Sequence, residues 1–559
     1  MEEEKVKFSI FRKIATIGRQ ILRFLLSRYF ITFIILAAEV LLMEHLIFTI
    51  SENFFATTSV VLALYGIGIV HLINRETNPE YKLTWAIVML IPIAGVVLYF
   101  LFYDRRLSPK EARLLLHSEE ELFRFIEPTA ELDEDAGYYG KIKALMGDDP
   151  MAVAYGGTRS KFFDSGEAYF ESLIEDLRGA EKFIFLEYFI ISEGKLWSEI
   201  HEILREKAAA GLEVRVLYDD IGCMQTLPFH YEKRLLAEGI NAHRFGRVTP
   251  RLSAVHNNRD HRKIAVIDGK VGYTGGVNIA DEYVNKKRRF GHWKDGGIRL
   301  EGDAVRGLLR LFLNSYDFTV EEVSDYSDFL TDAEPHAHSI DKLDGKNAAL
   351  SGSENTSLSD GENAPLSDGE NAFLSDGGIY VPFGSGPAPI YQQKVGKNLF
   401  LNIINQAKHY VWITTPYLIL DYELTEALCK AARRGVSVKI ITPGIADKKI
   451  IKIMTKSAYP HLKKSGVEIY EYLPGFIHEK TLISDDRYLV VGTVNMDYRS
   501  LMHHFEDGVF VVDSPVCKEA KDAFERTIKK SDYRDSIEVR LNLLEWLIRN
   551  IIKIFAPLL

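Results

Sequence analysis

The spacing of apolar positions divides the 559-residue chain into stretches of different rhythm. After a mixed, basic arm at residues 1–28, residues 29–105 hold three nearly unbroken apolar runs, Tyr29–Ile50, Phe54–Ile73 and Leu83–Phe102. Each is about the twenty residues needed to cross a hydrocarbon core. Within residues 106–320 the rhythm shortens: β-rich runs (KFIFLEYFII, LEVRVLYDD, KIAVIDGKVGYTG) alternate with helical stretches such as LWSEIHEILREKAAAG, which predicts an α/β fold. Residues 321–378 lose periodicity and carry an eight-residue repeat, LSGSENTS, LSDGENAP, LSDGENAF. So little apolar content cannot offset chain entropy, and the segment reads as a flexible linker. Over residues 379–535 the earlier grammar returns. AKHYVWITTPYLIL follows the pattern of AEKFIFLEYFII, and AARRGVSVKIITPG that of KAAAGLEVRVLYDD. The chain is therefore expected to hold two pseudo-symmetric α/β lobes made by duplication, with an insert between them. In residues 536–559, Arg540, Glu545, Arg549 and Lys553 fall four or five apart on an apolar helix. Such a helix suits a membrane surface or the protein's own core, and periodicity does not separate the two.

Charge refines this division. The formal net charge is -10, but Glu321–Asp376 alone carries fourteen acidic residues against Lys342 and Lys346, which leaves the rest of the chain slightly positive. The acidity belongs to the linker. A nearly neutral body lacks the dense basic surface of a nucleic-acid enzyme. Around the apolar runs, cations precede the first and Arg105, Arg106, Lys110 and Arg113 follow the last. Positive charge at both ends predicts that both lie in the cytoplasm, hence an even number of crossings. Glu39, Glu44 and His45 make the first run the interfacial one, with the second and third spanning. Long, repeated runs with no small-residue cleavage site do not suit a signal peptide. The expectation is a multi-pass cell-membrane protein with cytoplasmic lobes. Cys223, Cys429 and Cys517 are too far apart in sequence to suggest a disulfide framework or a zinc site.

The chemistry repeats with the pattern. HRKIAVIDGKVGYTGGVNI begins at His261 and HEKTLISDDRYLVVGTVNM at His478. In both, Lys follows His by two positions (Lys263, Lys480), Asp by seven (Asp268, Asp485) and Asn by seventeen (Asn278, Asn495). On a strand, positions i and i+2 share a face, so each imidazole lies beside an ammonium. That pair suits a phosphate: the His attacks phosphorus or gives up a proton while the Lys holds an oxygen. Two halves brought to one cleft supply a nucleophile and an acid. Gly276, Thr493 and the two Asn, in glycine-rich turns, are candidates to contact substrate. Asp268 and Asp485 complete the candidate catalytic set, although their odd spacing from His also suits turn caps. A nucleophilic His needs one ring nitrogen fixed by a carboxylate. Asp295 and Glu506 are the candidates, each roughly thirty residues after the His of its own half.

These residues resemble the phospholipase D superfamily signature, H-x-K-x4-D followed by a glycine-rich turn and Asn. The longer strings LEYFII, LYDDIG, HRKIAVIDG, WKDGGIRLEG, TPYLILD, PGFIHEKTLISDD and GTVNMDYRSL narrow the resemblance to bacterial cardiolipin synthases. It covers nearly the whole chain except the linker. It implies two phospholipase D-like α/β/α lobes, no metal or other cofactor, and phosphatidylglycerol among membrane phospholipids as the partner. The phosphatidyl group of one molecule passes through a phosphohistidine to the hydroxyl of a second, with release of glycerol. By this analogy His261 is the nucleophile and His478 the general acid then base, an order open to inversion. Glu506 then orients the second motif's His and Asp295 is its counterpart in the first half. Glu479 stands where the family usually has a small residue, and on a strand it is expected to point away from the site. Alternatives are a phospholipase D hydrolase, a phosphatidyltransferase to another alcohol such as serine, and a scaffold that binds anionic lipid without turnover. The sequence leaves oligomeric state open, a homo-oligomer included.

Overall fold

The computed structural model describes residues 41, 45, 59–75, 78–91, 94–103, 107–126, 153–248, 257–330, 375–387, 391, 394–533 and 550–558. They form two compact units, one from residues 1–106, 248–257 and 543–559 and the other from 107–247 and 258–542. The linker repeats and most of the first apolar run lie outside the described residues.

In the smaller unit, residues 59–75 are helical and the third apolar run is divided between the helices Pro79–Val88 and Ala94–Phe102. Asn78 caps the first of these through its side chain, with Pro79 at the first helical position. Among the described residues no helix is long and apolar enough to cross a membrane. Tyr99 is the buried centre of this unit: its hydroxyl lies 2.7 Å from His71 Nδ1 and its ring packs edge-on to Trp85. Of the amphipathic C-terminal stretch, residues 550–558 are described. Thr84 donates to the carbonyl of Ile554 at 2.7 Å and Ala556 is buried, so this end packs on its own unit.

The larger unit contains both lobes. In the first, β1 (Thr158–Phe163), β2 (Phe183–Tyr188), β3 (Glu213–Asp219), β4 (Asn241–Phe245), β5 (Lys263–Ile267), β6 (Val271–Gly275) and β8 (Gly297–Gly302) form a seven-stranded sheet in the order β1-β8-β6-β5-β2-β3-β4. A short strand, β7 (His292–Lys294), lies outside it. In the second lobe β9 (Ile379–Ser385), β10 (Tyr410–Thr414), β11 (Ser437–Pro443), β12 (Glu468–Tyr472), β14 (Thr481–Ser484), β15 (Tyr488–Gly492) and β16 (Glu506–Val512) repeat that order strand for strand, with β17 (Ser531–Tyr533) added beyond β12. In each lobe three strands run parallel and a fourth pairs antiparallel to the first of them, as β5 does to β2 and β14 to β10. The duplication seen as repeated rhythm is thus a repeated topology.

Central strands are buried on both faces, which is why they read as apolar runs rather than alternating ones. All six residues of β2 are buried. Phe185 stacks on Phe312 of the helix Val305–Val320, while Ile184 and Leu186 join the core formed with helices Gly166–Gly179 and Lys195–Ala209. Helices therefore cover both faces of the first sheet. β7 pairs in parallel with β13 (Gly475–Ile477), and Asp260 pairs with Phe505 in an isolated parallel bridge. These two seams join the lobes and set the geometry described next.

Candidate active site

Each seam ends on a motif His. The amide of His478 donates to the carbonyl of Lys294 at 2.7 Å, and the amide of His261 to that of Phe505 at 2.8 Å. The residue after each of those carbonyls is an acid, Asp295 and Glu506. His478 Nδ1 consequently lies 2.7 Å from Asp295 Oδ2, and His261 Nδ1 lies 2.8 Å from Glu506 Oε2. The two expected carboxylates are present, but each serves the other lobe's imidazole. Pairing within each half, as anticipated with Glu506 on the second motif, is corrected here. The reason is topological, because the acid lies one residue beyond a bridge that crosses between lobes.

Both imidazoles are buried, and burial is the largest influence on them. It lowers His261 to about 3, with Glu506 opposing and the Lys263 ammonium adding to the depression. It lowers His478 to about 4, with Lys480 next and Asp295 opposing. Lys263 acts on both rings, so the two motifs meet in one electrostatic neighbourhood. Burial raises the carboxyls of Asp295 and Glu506, but the imidazole partners, joined at Asp295 by Lys480, outweigh it and lower both. Burial also depresses the ammoniums, Lys480 to about 7. With an ionised carboxylate on Nδ1, each ring keeps its proton there and Nε2 carries the lone pair. Lys263 Nζ donates to the carbonyl of His261 at 2.6 Å, and Lys480 Nζ lies 2.9 Å from His478 Nδ1.

The glycine-rich turns lie against the carboxylates. Thr493 donates to Glu506 Oε2 at 2.5 Å. Gly276, at the same place in the first lobe, has no room for a side chain, since a Cβ there would lie 2.1 Å from Asp295 Oδ1 and 2.8 Å from the carbonyl of His478. The two Asn are engaged in structure. Asn278 accepts from the amide of Ile190 at 3.0 Å and donates to Tyr283 at 2.7 Å, and Asn495 donates to Ser500 at 3.1 Å.

Asp268 and Asp485 are not at the site. Asp268 accepts from the amides of Glu181, Lys182 and Phe183 at 2.7–2.9 Å, and Asp485 from those of Lys408, His409 and Tyr410 at 2.8–2.9 Å. Both adopt positive φ, 55° and 54°, at the far end of the strand that carries the Lys. Five extended residues separate Asp268 from Lys263, roughly 17 Å. The two Asp are caps for the start of β2 and β10, so their place in the catalytic set is corrected. Glu479 pairs with Lys294 Nζ at 2.5 Å.

Sequence reasoning missed four groups. Asp507 accepts from the amide of Lys263 at 3.1 Å and from the Thr274 hydroxyl, and burial raises it to about 6. Arg262, fully buried, donates to the carbonyl of Leu311, to Ser315 and to Tyr391. His504 lies 5.4 Å, ring to ring, from His261 and 3.5 Å through Nδ1 from Glu506 Oε1. Trp293 holds the same place against His478, at 5.6 Å. Aligning HHFED with HWKDG would have shown that the residue two before each acid differs, an imidazole in one half and an indole in the other.

Among the described residues, His261, His504 and Glu506 also present ligand atoms within 4.8 Å of one another, a donor set that could hold a cation. Lys263 and Lys480, both in electrostatic reach of Glu506, oppose a divalent cation there, and Glu506 is already committed to His261.

Comparison with known proteins is consistent with this geometry. Residues 173–289 and 400–528 match the family described as "Cardiolipin synthase, PLD-like domain", and residues 63–102 match "Phospholipase_D-nuclease N-terminal". A cardiolipin synthase of Halalkalibacterium halodurans is 32% identical over 462 residues, 81% of this chain and 83% of that one. An uncharacterized protein of Streptococcus mutans is 37% identical over 505 residues, 88% of this chain and 99% of its own. In fold, the phosphatidylserine synthase of Haemophilus influenzae Rd KW20 superposes with a TM-score of 0.51 at 16% identity, covering 75% of this chain and 98% of that one.

Proposed function

The chain belongs to the cardiolipin synthases of the phospholipase D superfamily, and from that premise we propose that it joins two phosphatidylglycerol molecules through a phosphohistidine on His261. It is a phosphatidyltransferase of the phospholipase D type, acting on membrane phospholipids. The observation that carries the finer reading is the crossed pair of carboxylates, which leaves two lone-pair nitrogens beside two ammoniums in one buried site.

In the proposed first step His261 Nε2 attacks the phosphorus of one phosphatidylglycerol. The P–O bond to the headgroup glycerol breaks, and His478 Nε2–H protonates the departing oxygen. Charge builds on the non-bridging oxygens, where Lys263 and Lys480 hold it. In the second step His478 takes the proton from the hydroxyl of a second phosphatidylglycerol, whose oxygen displaces His261 from phosphorus. Before substrate binds, His478 is too acidic to hold a second proton at neutral pH, because burial and Lys480 depress it. An anionic phosphodiester entering beside the ammoniums reverses the second influence, so substrate binding loads the acid. Thr493 steadies Glu506, and Gly276 gives Asp295 and His478 their close approach.

We place the lobes at the cytoplasmic face of the cell membrane, held by the amino-terminal apolar runs. Support comes from the charges flanking those runs and the exposed apolar side chains of helix 59–75, among them Val60, Leu62, Ile67 and Val70. The test is incubation of the purified full chain with phosphatidylglycerol, following glycerol and cardiolipin together. Equimolar glycerol and cardiolipin is expected. Phosphatidic acid as the sole product would replace the transferase by a hydrolase.

A further inference from the structure

On the larger unit, we infer that the rim formed by Lys286–Arg289, Ile445, Lys448–Ile450 and Leu473 is where the lobes dock on an anionic lipid surface, a conclusion that rests on the lipid substrate proposed above. The first stretch is a built loop. Asn285 clamps both main-chain groups of Trp293, accepting from its amide at 2.8 Å and donating to its carbonyl at 2.9 Å. Phe290 at the other end packs on Trp293 and Phe476. The four cations between are pushed into solvent. Lys286 and Arg289 approach Glu199 and Glu282, while among the described residues no carboxylate pairs with Lys287 or Arg288.

Apolar side chains stand beside these cations. The turn at Gly291 lies against the carbonyl of Pro474 and within 3.2 Å, from an added Cβ, of Ile445 Cδ1. The amide of Ile445 binds the carbonyl of Gly475, which fixes it to the same turn. Leu473 is 56% exposed, Ile450 50% and Ile445 44%, although each is large and apolar. Lys448 and Lys449 are exposed next to them. Large aliphatic groups ringed by cations match the two layers of an anionic leaflet, acyl boundary and phosphate.

Position relative to the chemistry favours a lipid over another occupant. The rim is continuous in the chain with the seam of β7 and β13, whose strands lead directly into Asp295 and His478. The five steps from Leu473 to His478, which begin in a turn, span no more than roughly 17 Å. That is about the length of one leaflet's chains, roughly 15 Å. A lipid whose tails stay at the rim therefore needs to rise by about the length of its acyl chains at most to present its phosphate.

The test separates docking from chemistry. The full chain and a Lys287→Glu, Arg288→Glu, Leu473→Asp variant are assayed on phosphatidylglycerol vesicles and on a short-chain, monodisperse phosphatidylglycerol. Each cation near an anionic leaflet is worth about fivefold in binding. The variant is expected to lose tenfold or more on vesicles while staying within about twofold on the short-chain lipid. Equal loss on both, or loss on neither, overturns the proposal. A second readout does not need turnover. The native cysteines are buried, so Leu473→Cys can be labelled alone with an environment-sensitive dye. Its emission is expected to shift on vesicles containing phosphatidylglycerol and not on phosphatidylcholine alone, whereas no shift, or the same shift on both, overturns docking even if the wild type makes no cardiolipin.

Discussion

Replacing Glu506 by Gln keeps the shape of the side chain and its place beside Thr493 but removes the charge that His261 relies on. During attack the His261 ring becomes cationic, and its charge centre sits about 4 Å from a carboxylate in a dry site. At an effective dielectric of about 20 that attraction is worth roughly 4 kcal/mol, or close to a thousandfold in rate. The amide oxygen introduced by Glu506→Gln can still accept from Nδ1–H, so orientation survives and the loss falls on kcat. Initial rates of glycerol release at saturating lipid measure it, with Asp295→Asn as the companion. The crossing itself is read from nitrogen NMR of histidine-labelled protein, with Glu506→Gln expected to move the His261 nitrogens and Asp295→Asn those of His478. A kcat loss below tenfold, or a Glu506→Gln shift confined to His478, would refute the argument.

Four further outcomes are expected. Lys480 is depressed to about 7 by burial first, so its cation is lost as pH rises through that value; kcat/KM should fall on the alkaline side near neutrality, and Lys480→Arg should remove that limb even if it lowers the plateau. Gly276→Ala puts a methyl 2.1 Å from Asp295 Oδ1, and a loss of a hundredfold or more in kcat is expected, against about tenfold for Thr493→Gly, which removes one hydrogen bond to a charged group. Asp268→Ala frees three backbone donors and should lower stability by roughly 2–4 kcal/mol in denaturant melts, while kcat per folded molecule stays within threefold; a tenfold fall would return this Asp to the catalytic set. His504→Trp makes the two halves alike at that position, and kcat should fall severalfold with KM unchanged because Glu506 loses its second imidazole; an unchanged kcat would reduce His504 to packing.

Strand identity and the His-Lys pairs were legible because both depend on near neighbours in the chain. β5 and β14 are short apolar strands, and each His-Lys pair lies at the entry to one of them, two residues apart in the chain. The carboxylates were legible as residues but not as partners. Asp295 and Glu506 look equivalent along the sequence, and only the bridges Asp260–Phe505 and Ile477–Lys294 decide which imidazole each one meets. Asp268 and Asp485 were open to two readings: their odd spacing from His suits the turn cap that the structure shows, but a cap repeated by duplication is as regular as a catalytic group. The apolar runs near the amino terminus carried a clear length signal. The third is nevertheless divided between the helices Pro79–Val88 and Ala94–Phe102.

The crossed carboxylates change what the duplication means. A lobe on its own would hold a His and a Lys with no carboxylate on Nδ1, and its acid would face no imidazole. Association of the halves is thus required for the tautomer each ring needs, not merely for bringing two rings close. Once joined, the halves are no longer equal. Glu506 receives His261 and Thr493, with His504 at 3.5 Å, whereas Asp295 receives His478 and the amide of Gly296 beside a glycine and an indole. A transfer in two steps asks different things of its two imidazoles: one must bond to phosphorus, the other must exchange a proton. Around the two acids the halves differ, Thr493 standing where the first lobe has Gly276 and His504 where it has Trp293, while the His and the Lys of each motif stay matched. This is the pattern expected if specialisation of the two rings came from retuning their carboxylates.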